Sequence, residues 1–410
     1  MTQNNVNTTS SAPGMDIRPM QGLKVLELGQ LIAGPFASKI LAEFGADVIK
    51  VEPPGGDPLR KWRYVHDGTS VWWAAHARNK RSITLDLRQP EGQEIVRQMV
   101  READILIENF RPGQMEKWGL GYPELSQINP GLIMLRVSGY GQTGPYRDRP
   151  GFGVIGEAMG GLRYLSGEPG RPPVRVGVSI GDTLSGLHGV IGILMALRHR
   201  EQQGGLGQEI DVALYESVFN MMESLIPEYS KFGAVREPSG ASMPGIAPTN
   251  AYLCSDGKYA LIAGNGDSIF KRLMKLINRP DLAEDPDLAD NQGRSARMQE
   301  LDEAISAWTI QYDRDTVLDA VNAAGVPCGK SYDAADIAND PHYRARDMIL
   351  TTTLPDGSDI EVPGIVPKLS RTPGAVDRLA PTLGEHTDEI LTELGFDEQK
   401  RADLKSRGIV

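Results

Sequence analysis

Cysteine is almost absent from this chain of 410 residues, which contains only Cys254 and Cys328. The two lie far apart in sequence and form no CxxC pair, so neither a disulfide framework nor a thiolate metal site is indicated. Positive charge is also in deficit, because 43 Lys and Arg stand against 54 Asp and Glu and give a formal net charge of -11. This balance argues against general nucleic-acid binding, but it permits local basic pockets for an anionic ligand.

Long apolar runs are missing as well, since no uninterrupted stretch of roughly eighteen apolar residues is present to cross a membrane. The first residues contain neither a basic start nor an apolar core, which predicts a disordered leader over residues 1–19 rather than a signal peptide. With few cysteines and no targeting segment, the pattern favours the cytoplasm and no membrane partner.

Strand-like and helix-like segments alternate along the first half of the chain. Leu23–Leu28 and Asp47–Glu52 are predicted strands on either side of a helix. Further strands are predicted within Arg78–Arg88 and at Ala103–Glu108, Leu132–Val137 and Gln208–Val212. This order predicts an α/β fold with a doubly wound parallel sheet and its loops at one edge. The turn Gly29–Pro35 has neither the GxGxxG nor the P-loop pattern, so NAD and ATP are not indicated.

Pro and Gly accumulate between Pro227 and Pro248, which indicates a linker or domain boundary. The segment Asn250–Cys328 that follows contains further strand and helix patterns and is predicted to form a smaller compact domain. A chain of this length is expected to hold one large domain and a second, smaller one.

A change of periodicity surrounds one carboxylate in the middle of the chain. Val176, Val178 and Ile180 alternate as strand residues do, whereas apolar residues after Asp182 recur at helical spacing up to Arg200. The pattern therefore predicts Asp182 at a strand-to-helix turn, at the carboxyl end of a strand, where such folds bind ligands.

Spacing alone leaves two interpretations of Asp182 open. Asp is a favoured helix N-cap, and a helix N-terminus stabilises negative charge. However, Gly181 beside it permits close approach of a ligand to the backbone. Small residues on one face of the following helix predict close packing and burial, and these are Gly186, Gly189, Gly192 and Ala196. A buried helix that presents one carboxylate to a crevice can supply a nucleophile for a covalent acyl intermediate.

Aromatic and basic residues cluster between Arg60 and Trp73, where Trp62 and Trp72 also lie. Such a cluster forms either a small satellite core or the wall of a pocket. The basic run Arg78–Arg88 is either a solvated face or an anion-binding segment, because it lies between predicted strands.

Several short motifs follow one another from about Met20 to the last residues. They are Ala33–Pro35, Gly45–Glu52, Asn79–Ile83, Glu108–Phe110, Gly139–Pro145, Gly181–Gly186 and Leu383–Thr387. In this order they resemble the family III CoA-transferases, the group of the formyl-CoA:oxalate and carnitine CoA-transferases, and the related α-methylacyl-CoA racemases. No single motif is decisive, but the ordered set is highly specific.

The resemblance implies a role for Asp182, which matches the family's nucleophilic aspartate. Asp182 would attack a donor thioester, expel CoA thiolate and become a mixed acyl anhydride; returning CoA would then form an aspartyl-CoA thioester. An acceptor carboxylate would repeat these steps in reverse. The resemblance implies no metal and no permanently bound cofactor, because the coenzyme A thioester is itself the substrate.

The resemblance also assigns binding residues by position. The CoA contacts fall on Ala33, Leu85, Arg88, Asn109, Phe110, Lys117 and Arg149. The substrate pocket falls on Ile32, Trp62, Tyr140 and Phe152. The oxalate enzymes have Gln where this chain has Ile32 and a CoA-contacting Arg where it has Pro53, and their glycine tetrad loop is missing here. Oxalate and formate are therefore disfavoured as substrates.

The overall pattern is closest to family members that use succinyl-CoA and short dicarboxylates such as malate, citramalate, mesaconate or glutarate. A second carboxylate needs a cation in the pocket, and the candidates are Arg60, Arg63, Arg149 and Arg175. Two rival functions remain. A racemase would need a His-Asp pair where this chain has Gly151–Val154, which offers no acid or base. A non-catalytic CoA-binding protein would use Asp182 only as a helix cap.

The resemblance further implies an interlocked homodimer in which both ends of one chain build the large domain. We accordingly predict a Rossmann-like, CoA-binding domain from residues 20–225 and 335–410. A small α+β domain with its linkers is predicted at residues 226–334.

Overall fold

The structure, a computed structural model, describes residues 17–410. Most of the predicted leader, residues 1–16, lies outside the described residues. The strands are β1 Lys24–Glu27, β2 Asp47–Glu52, β3 Val65–His66, β4 Thr69–Ser70, β5 Lys80–Thr84, β6 Ile105–Glu108, β7 Ile133–Ser138, β8 Glu209–Ala213, β9 Thr249–Leu253, β10 Tyr259–Ala263, β11 Cys328–Gly329, β12 Ile349–Thr353 and β13 Asp359–Pro363.

The helices fill most of the intervals between these strands. In the first half of the chain they are α1 Ala33–Glu43, α2 Val71–His76, α3 Pro90–Val100, α4 Gln114–Lys117, α5 Tyr122–Ile128, α6 Gly153–Met159, α7 Leu162–Leu165 and α8 Ile180–Gln202. Those that follow are α9 Leu214–Phe219, α10 Leu225–Phe232, α11 Asp267–Leu276, α12 Pro280–Ala283, α13 Asn291–Ala296, α14 Met298–Thr309, α15 Arg314–Ala323, α16 Ala334–Asn339, α17 Pro341–Ala345, α18 Thr387–Glu393 and α19 Glu398–Ser406. Short 3-10 turns lie at Pro58–Lys61 and Pro286–Leu288.

The chain divides into two compact units, of which the larger comprises residues up to Arg163, Arg175–Gly233 and Arg344–Val410. Its centre is a parallel sheet of six strands in the order β5-β2-β1-β6-β7-β8. The strand order reverses between β1 and β6, and the loops that leave their carboxyl ends therefore diverge and open a crevice. The predicted α/β fold with a large parallel sheet is confirmed.

Apolar layers cover both faces of this sheet, because successive strand residues point to opposite sides. Ile105 packs into one layer with the residues of α1 and α8, whereas its neighbour Leu106 packs into the other. The second layer includes α3 and the C-terminal helices, from which Leu391 and Leu404 are fully buried. The end of the chain thus completes the core of the larger unit.

Helix α8 packs closely against α1 and the sheet through its small residues. A Cβ on Gly186 would lie 2.9 Å from the carbonyl oxygen of Ala33, and one on Gly189 would lie 2.6 Å from Leu135. The prediction of a buried, glycine-lined face is therefore correct. By length and composition α8 is apolar enough to cross a membrane, although no membrane is needed to explain its apolar residues, because it packs on α1, α9 and β7.

One prediction about local structure is wrong. Val176 and Val178 do not form a strand; they lie in an exposed loop that leads directly into α8, because no neighbouring strand is available to pair with them. The Pro/Gly-rich stretch Pro227–Pro248 starts inside helix α10 and contains the boundary between the two compact units, which falls between Gly233 and Ala234. Pro227 lies in the first turn of α10, where the missing N–H of proline costs no helical hydrogen bond.

The smaller unit comprises Tyr164–Val174 and Ala234–Tyr343. Its three-stranded antiparallel sheet has the order β11-β10-β9 and packs against helices that include α11, α14 and α15. Phe270 and Leu301 are fully buried in its separate hydrophobic core.

Candidate active site

A cavity of about 520 Å³ in the larger unit is lined by Asp182 and by three residues of the predicted substrate pocket. These three residues are Ile32, Trp62 and Phe152. The fourth predicted residue, Tyr140, does not line this cavity and instead packs beside Gly151 and the ring of Tyr146. The structure therefore brings Asp182 together with most of the predicted pocket.

Asp182 lies in the first turn of α8, and it is not the N-cap of that helix. The N-cap position is Ser179, and no side chain forms a capping hydrogen bond there. A Cβ on Gly153 would overlap the Asp182 carboxylate, so only glycine fits at the start of α6. The interpretation of Asp182 as a simple N-cap is wrong, because its carboxylate points toward α6 rather than capping α8.

The electrostatic surroundings of Asp182 disfavour its charge. Burial, and next the negative charge of Glu157, raise the pKa of Asp182 to about 6, while the guanidinium of Arg175 acts in the opposite direction. The carboxylate is therefore ionised at neutral pH but is more basic than an ordinary aspartate. Higher basicity and a desolvated position are properties of an activated nucleophile.

Three helices begin at the wall of this cavity. Ile32, Phe152 and Ser179 are the N-cap residues of α1, α6 and α8, and all three line it. None of these helices has a side-chain cap, so the first backbone N–H groups of each helix lack an internal partner. The positive ends of three helix dipoles therefore converge on a site that suits anions.

The turn that carries Ile32 is fixed by Asp57 and Asn109. Leu31 has a left-handed backbone with φ of 64°, and its N–H donates to the Asp57 carboxylate at 3.1 Å. The Asn109 side chain accepts from the N–H of Gln30 at 2.7 Å and donates to its carbonyl at 2.8 Å. A strained turn is thus held by two side chains from other segments of the larger unit.

A network of buried charged residues stabilises this turn. The Lys50 ammonium lies 2.8 Å from Glu27 and 2.8 Å from Asp57, and it also donates to the carbonyl of Gly29. Burial alone would raise the pKa of Glu27, but the ammonium groups of Lys50 and Lys80 outweigh it and lower that pKa to about 2. The network is buried and paired, and we expect it to keep the turn rigid.

The aromatic cluster serves as both a satellite core and a pocket wall. Trp73 is buried with Leu59, and the Arg60 guanidinium lies 3.8 Å above its ring. Trp62 and Trp72 instead line the cavity, with their ring centroids 5.9 Å apart. Both interpretations of the segment therefore apply, each to different tryptophans.

Most of the residues that are predicted to contact CoA follow the carboxyl ends of parallel strands. Ala33 is the buried first residue of α1, after β1, and the Leu85 side chain is buried in the core at the end of β5. The exposed Arg88 side chain pairs with Asp86 at 2.8 Å. Because the strands are parallel, these loops lie at the same edge of the sheet as the cavity.

Four further predicted contacts lie after β6 and β7. Asn109 holds Gln30, and the ring of Phe110 packs edge-on against Trp118 with centroids 5.1 Å apart. Lys117 is exposed at the end of α4. The Arg149 guanidinium lies 3.6 Å above the ring of Tyr146, outside the cavity beside Asp182.

The structure separates the four arginines considered for a second carboxylate. Arg60 donates to both oxygens of Glu52 at 2.7 Å, so that pair already satisfies its guanidinium. Arg63 and Arg175 line the cavity with Lys61. Two of the four candidates are therefore placed to meet an anion beside Asp182.

Sequence reasoning missed Glu157, Lys50 and Asp57. Glu157 and Lys50 occur in otherwise apolar or strand-like segments, where an isolated charge implies a buried partner. That signal was present, but the partners lie far away in sequence and could not be identified from it.

Comparisons with known proteins show the family of this chain. A family model described as CoA-transferase family III matches residues 20–387. Succinyl-CoA--D-citramalate CoA-transferase from Chloroflexus aurantiacus is 49% identical, over 96% of this chain and 98% of that protein. Succinate--glutarate CoA-transferase from Agrobacterium fabrum is 36% identical, over 92% of this chain and 96% of that protein.

A solved structure is similar over nearly the whole chain. The CAIB/BAIF family protein from Brucella suis has a TM-score of 0.81 and 38% identity, over 92% of this chain and 100% of that one. The resemblance stated from the motifs is confirmed, and the chain belongs to CoA-transferase family III.

Proposed function

We propose that this CoA-transferase moves CoA from succinyl-CoA to a short dicarboxylic acid through a covalent intermediate on Asp182. The observation that carries the proposal is the half-buried carboxylate of Asp182, with its raised pKa, beside a cavity at which three helices begin. The names of the citramalate, malate and glutarate enzymes among the relatives support this choice of substrates.

The proposed reaction begins when an Asp182 carboxylate oxygen attacks the thioester carbon of succinyl-CoA. The carbon–sulfur bond breaks, CoA thiolate leaves with the electron pair, and Asp182 becomes a mixed anhydride. The thiolate then attacks the Asp182 carbonyl carbon, which releases succinate and forms the aspartyl-CoA thioester. Thiolate is a good leaving group, so no general acid is required for these steps.

The second half of the proposed reaction reverses the first. An acceptor carboxylate attacks the aspartyl-CoA thioester, gives a new anhydride and releases CoA thiolate. That thiolate attacks the acceptor's acyl carbon, so that acceptor-CoA leaves and the Asp182 carboxylate is restored. Each addition creates an oxyanion, and the uncapped N–H groups at the starts of α1 and α8, whose N-cap residues line the cavity, are donors of the required kind.

We propose that CoA binds along the carboxyl edge of the parallel sheet. The loops after β1, β5 and β6 contain Ala33, Arg88 and Phe110, which match the family's CoA contacts. Arg88 and the exposed Lys117 suit phosphate groups, and the half-buried ring of Phe110 suits an apolar part of the ligand.

The distal carboxylate of the acceptor is assigned to Arg175, with Arg63 as the second cation. Both line the cavity and neither guanidinium has a bidentate carboxylate partner among residues 17–410, unlike Arg60. A second carboxylate within reach of these cations would be bound more tightly than a methyl group in its place.

Racemisation is not favoured by the geometry of this cavity. Gly153 faces Asp182 where a racemase would place its second acid or base, and a side chain there would overlap the carboxylate. Proton removal and return at an α-carbon would then lack one of its two partners.

An acceptor screen tests the proposed function. Purified protein with succinyl-CoA and each of malate, citramalate, mesaconate, glutarate and the monocarboxylate butyrate is expected to form new CoA thioesters from dicarboxylates only, as read by chromatography. Asp182→Asn is expected to form none. Equal turnover in the Asn variant would contradict the nucleophilic role, because Asn preserves the size of the side chain and removes only its nucleophilic carboxylate.

The role of Arg175 is tested by Arg175→Met and Arg63→Met, with Arg101→Met at the exposed end of α3 as the control. The two cavity variants should raise the KM for dicarboxylate acceptors about tenfold or more, whereas the control should leave it unchanged. If single replacements of all four candidate arginines leave the acceptor KM unchanged, the assignment is wrong.

The interlocked homodimer and the cytoplasmic location stay predictions. Some relatives are named as alpha and beta subunits of one malate transferase, so the mass of the purified chain in solution is the measurement that decides between self-association and a requirement for a second chain.

A further inference from the structure

A second carboxylate lies next to Asp182 and has no part in the steps above. Glu157, on α6, is fully buried. A Cβ on Gly181 would lie 3.3 Å from the Glu157 Cγ atom, so the Glu157 stem packs against the residue that precedes Asp182. The two carboxylates therefore belong to one buried environment between α6 and α8.

The Glu157 carboxylate is only partly neutralised by its neighbours. Its Oε2 atom accepts a long hydrogen bond of 3.4 Å from Arg163 and lies 3.9 Å from the Arg175 guanidinium. Its Oε1 atom is buried and has no hydrogen-bond partner among the described residues. A poorly paired buried charge is costly, so stability alone gives no reason for a glutamate at this position.

The other elements packed on α6 add no compensating charge. Helix α9 contacts α6 through Leu214 and Val218, which lie against Gly156 and Gly160. The ionisable residues of α9 pair with each other, because the Tyr215 hydroxyl donates to Glu216 at 3.0 Å. Helix α8 contributes Asp182 itself. The charged groups that interact with Glu157 thus include Arg163, Arg175 and Asp182.

We propose that Glu157 is a positioning residue that favours acylation of Asp182 by electrostatic repulsion, an inference that rests on the proposed function. Asp182 is charged in the resting enzyme and becomes neutral when its oxygen bonds to the donor acyl carbon and CoA thiolate departs. Repulsion by Glu157 therefore raises the free energy of the resting state and is absent from both covalent intermediates. The populations of the anhydride and of the aspartyl-CoA thioester rise accordingly.

The same repulsion has a second consequence for the nucleophile. A carboxylate that binds a proton more strongly also attacks an acyl carbon more readily, and Glu157 contributes to that basicity in Asp182. Arg175 reduces this increase in basicity, because its guanidinium attracts the negative charge of both Glu157 and Asp182. Removal of the Glu157 charge should therefore weaken the nucleophile without removing any atom that touches substrate.

The test measures acylation of Asp182 as a function of pH in the full-length protein. Wild type, Glu157→Gln and Glu157→Met are incubated with succinyl-CoA and no acceptor, and the covalent species is quantified by intact mass. In wild type, half-maximal acylation is expected near pH 6. In both variants this midpoint should fall by about one pH unit, and the acylated fraction at limiting donor should fall about three- to tenfold.

Glu94→Gln, on the exposed face of α3, is the matched control and should retain the wild-type profile. Near-UV circular dichroism verifies that each variant is folded. An unchanged midpoint and acylated fraction in folded Glu157 variants would overturn the role of Glu157 while the proposed function stands. Wild-type protein that never becomes acylated would overturn the proposed function and this inference together. If both variants unfold, a wild-type midpoint near pH 4, ordinary for aspartate, would overturn the role.

Discussion

Asp182 is a residue whose charge the fold disfavours. Its pKa is raised to about 6 by burial and by Glu157, against 3.8 for an ordinary aspartate. Because the pKa of Asp182 is higher in the folded than in the unfolded protein, its ionisation does not affect the free energy of unfolding below pH 3.8. That free energy then falls as the pH rises through about 6. Asp182 therefore lowers the stability of the folded protein at neutral pH.

Asp182→Asn should separate activity from stability. We expect transferase turnover to fall about a thousandfold or more, because the nucleophile is gone. The free energy of unfolding at pH 7 should rise by about 1 to 3 kcal/mol, because a buried charge is removed. Urea unfolding between pH 3.5 and 7 measures the free energy of unfolding of both proteins, and the difference between them should increase from pH 4 to pH 6. A variant less stable than wild type at pH 7 would contradict this electrostatic account.

Lys50 is the residue on which the turn beside the cavity depends. Lys50→Met leaves the buried Glu27 and Asp57 carboxylates without their common cation. The free energy of unfolding should fall by about 3 to 5 kcal/mol. Lys24→Met removes an exposed ion pair with Glu102 and should cost less than about 1 kcal/mol. Equal losses in the two variants, measured by chemical denaturation, would show that burial of the Lys50 network is unimportant.

At the scale of elements, the close approach of α1 and α8 positions the cavity. Gly186→Ala would place a methyl group 2.9 Å from the Ala33 carbonyl and 3.0 Å from Phe36. The crowding should cost about 1 to 3 kcal/mol, and it should displace the start of α1, which carries Ile32. Thermal unfolding and the acceptor KM report the two effects. Gly55→Ala, at a position with no atom within 4 Å of the added Cβ, is the control and should change neither.

Sequence patterns correctly predicted those strands and helices that are defined by the local spacing of apolar and small residues. The strand Asp47–Glu52 matches its predicted bounds, because alternation and the preceding Gly45 define both ends. The face of α8 was predicted correctly, since glycines at helical spacing imply close packing. Asp182 was identified, but its place in the first turn of α8 was not, because Val176 and Val178 alternate without any strand beside them.

The rest of the site depends on contacts between distant segments. Glu157 reaches Asp182 only because α6 packs on α8, and Asp57, in the loop after β2, reaches Leu31 in the loop after β1. No period or motif encodes such a pairing. The motif resemblance supplied Ile32, Trp62 and Phe152, which the structure places around one cavity, whereas Tyr140 lies outside it.

At the scale of the whole molecule, the last residues of the chain complete the larger unit. Leu404 is 1% exposed and packs in the layer that also contains Leu26 and Leu106. Leu404→Ala should therefore lower the free energy of unfolding by about 2 to 5 kcal/mol, although it lies far from these strands in sequence. Leu383→Ala, at a side chain 43% exposed, should cost less than about 1 kcal/mol. Similar losses in both would contradict the C-terminal contribution to the core.

Mass spectrometry of the intact protein is the most direct test of covalent catalysis at Asp182. Wild type and Asp182→Asn are incubated with succinyl-CoA and no acceptor, and hydroxylamine is then added to trap an activated carboxyl group. We expect a covalent adduct in wild type, a hydroxamate that maps to Asp182 after proteolysis, and neither product in the Asn variant. A protein that binds CoA and transfers it to acceptors with no modification of Asp182 would contradict the account.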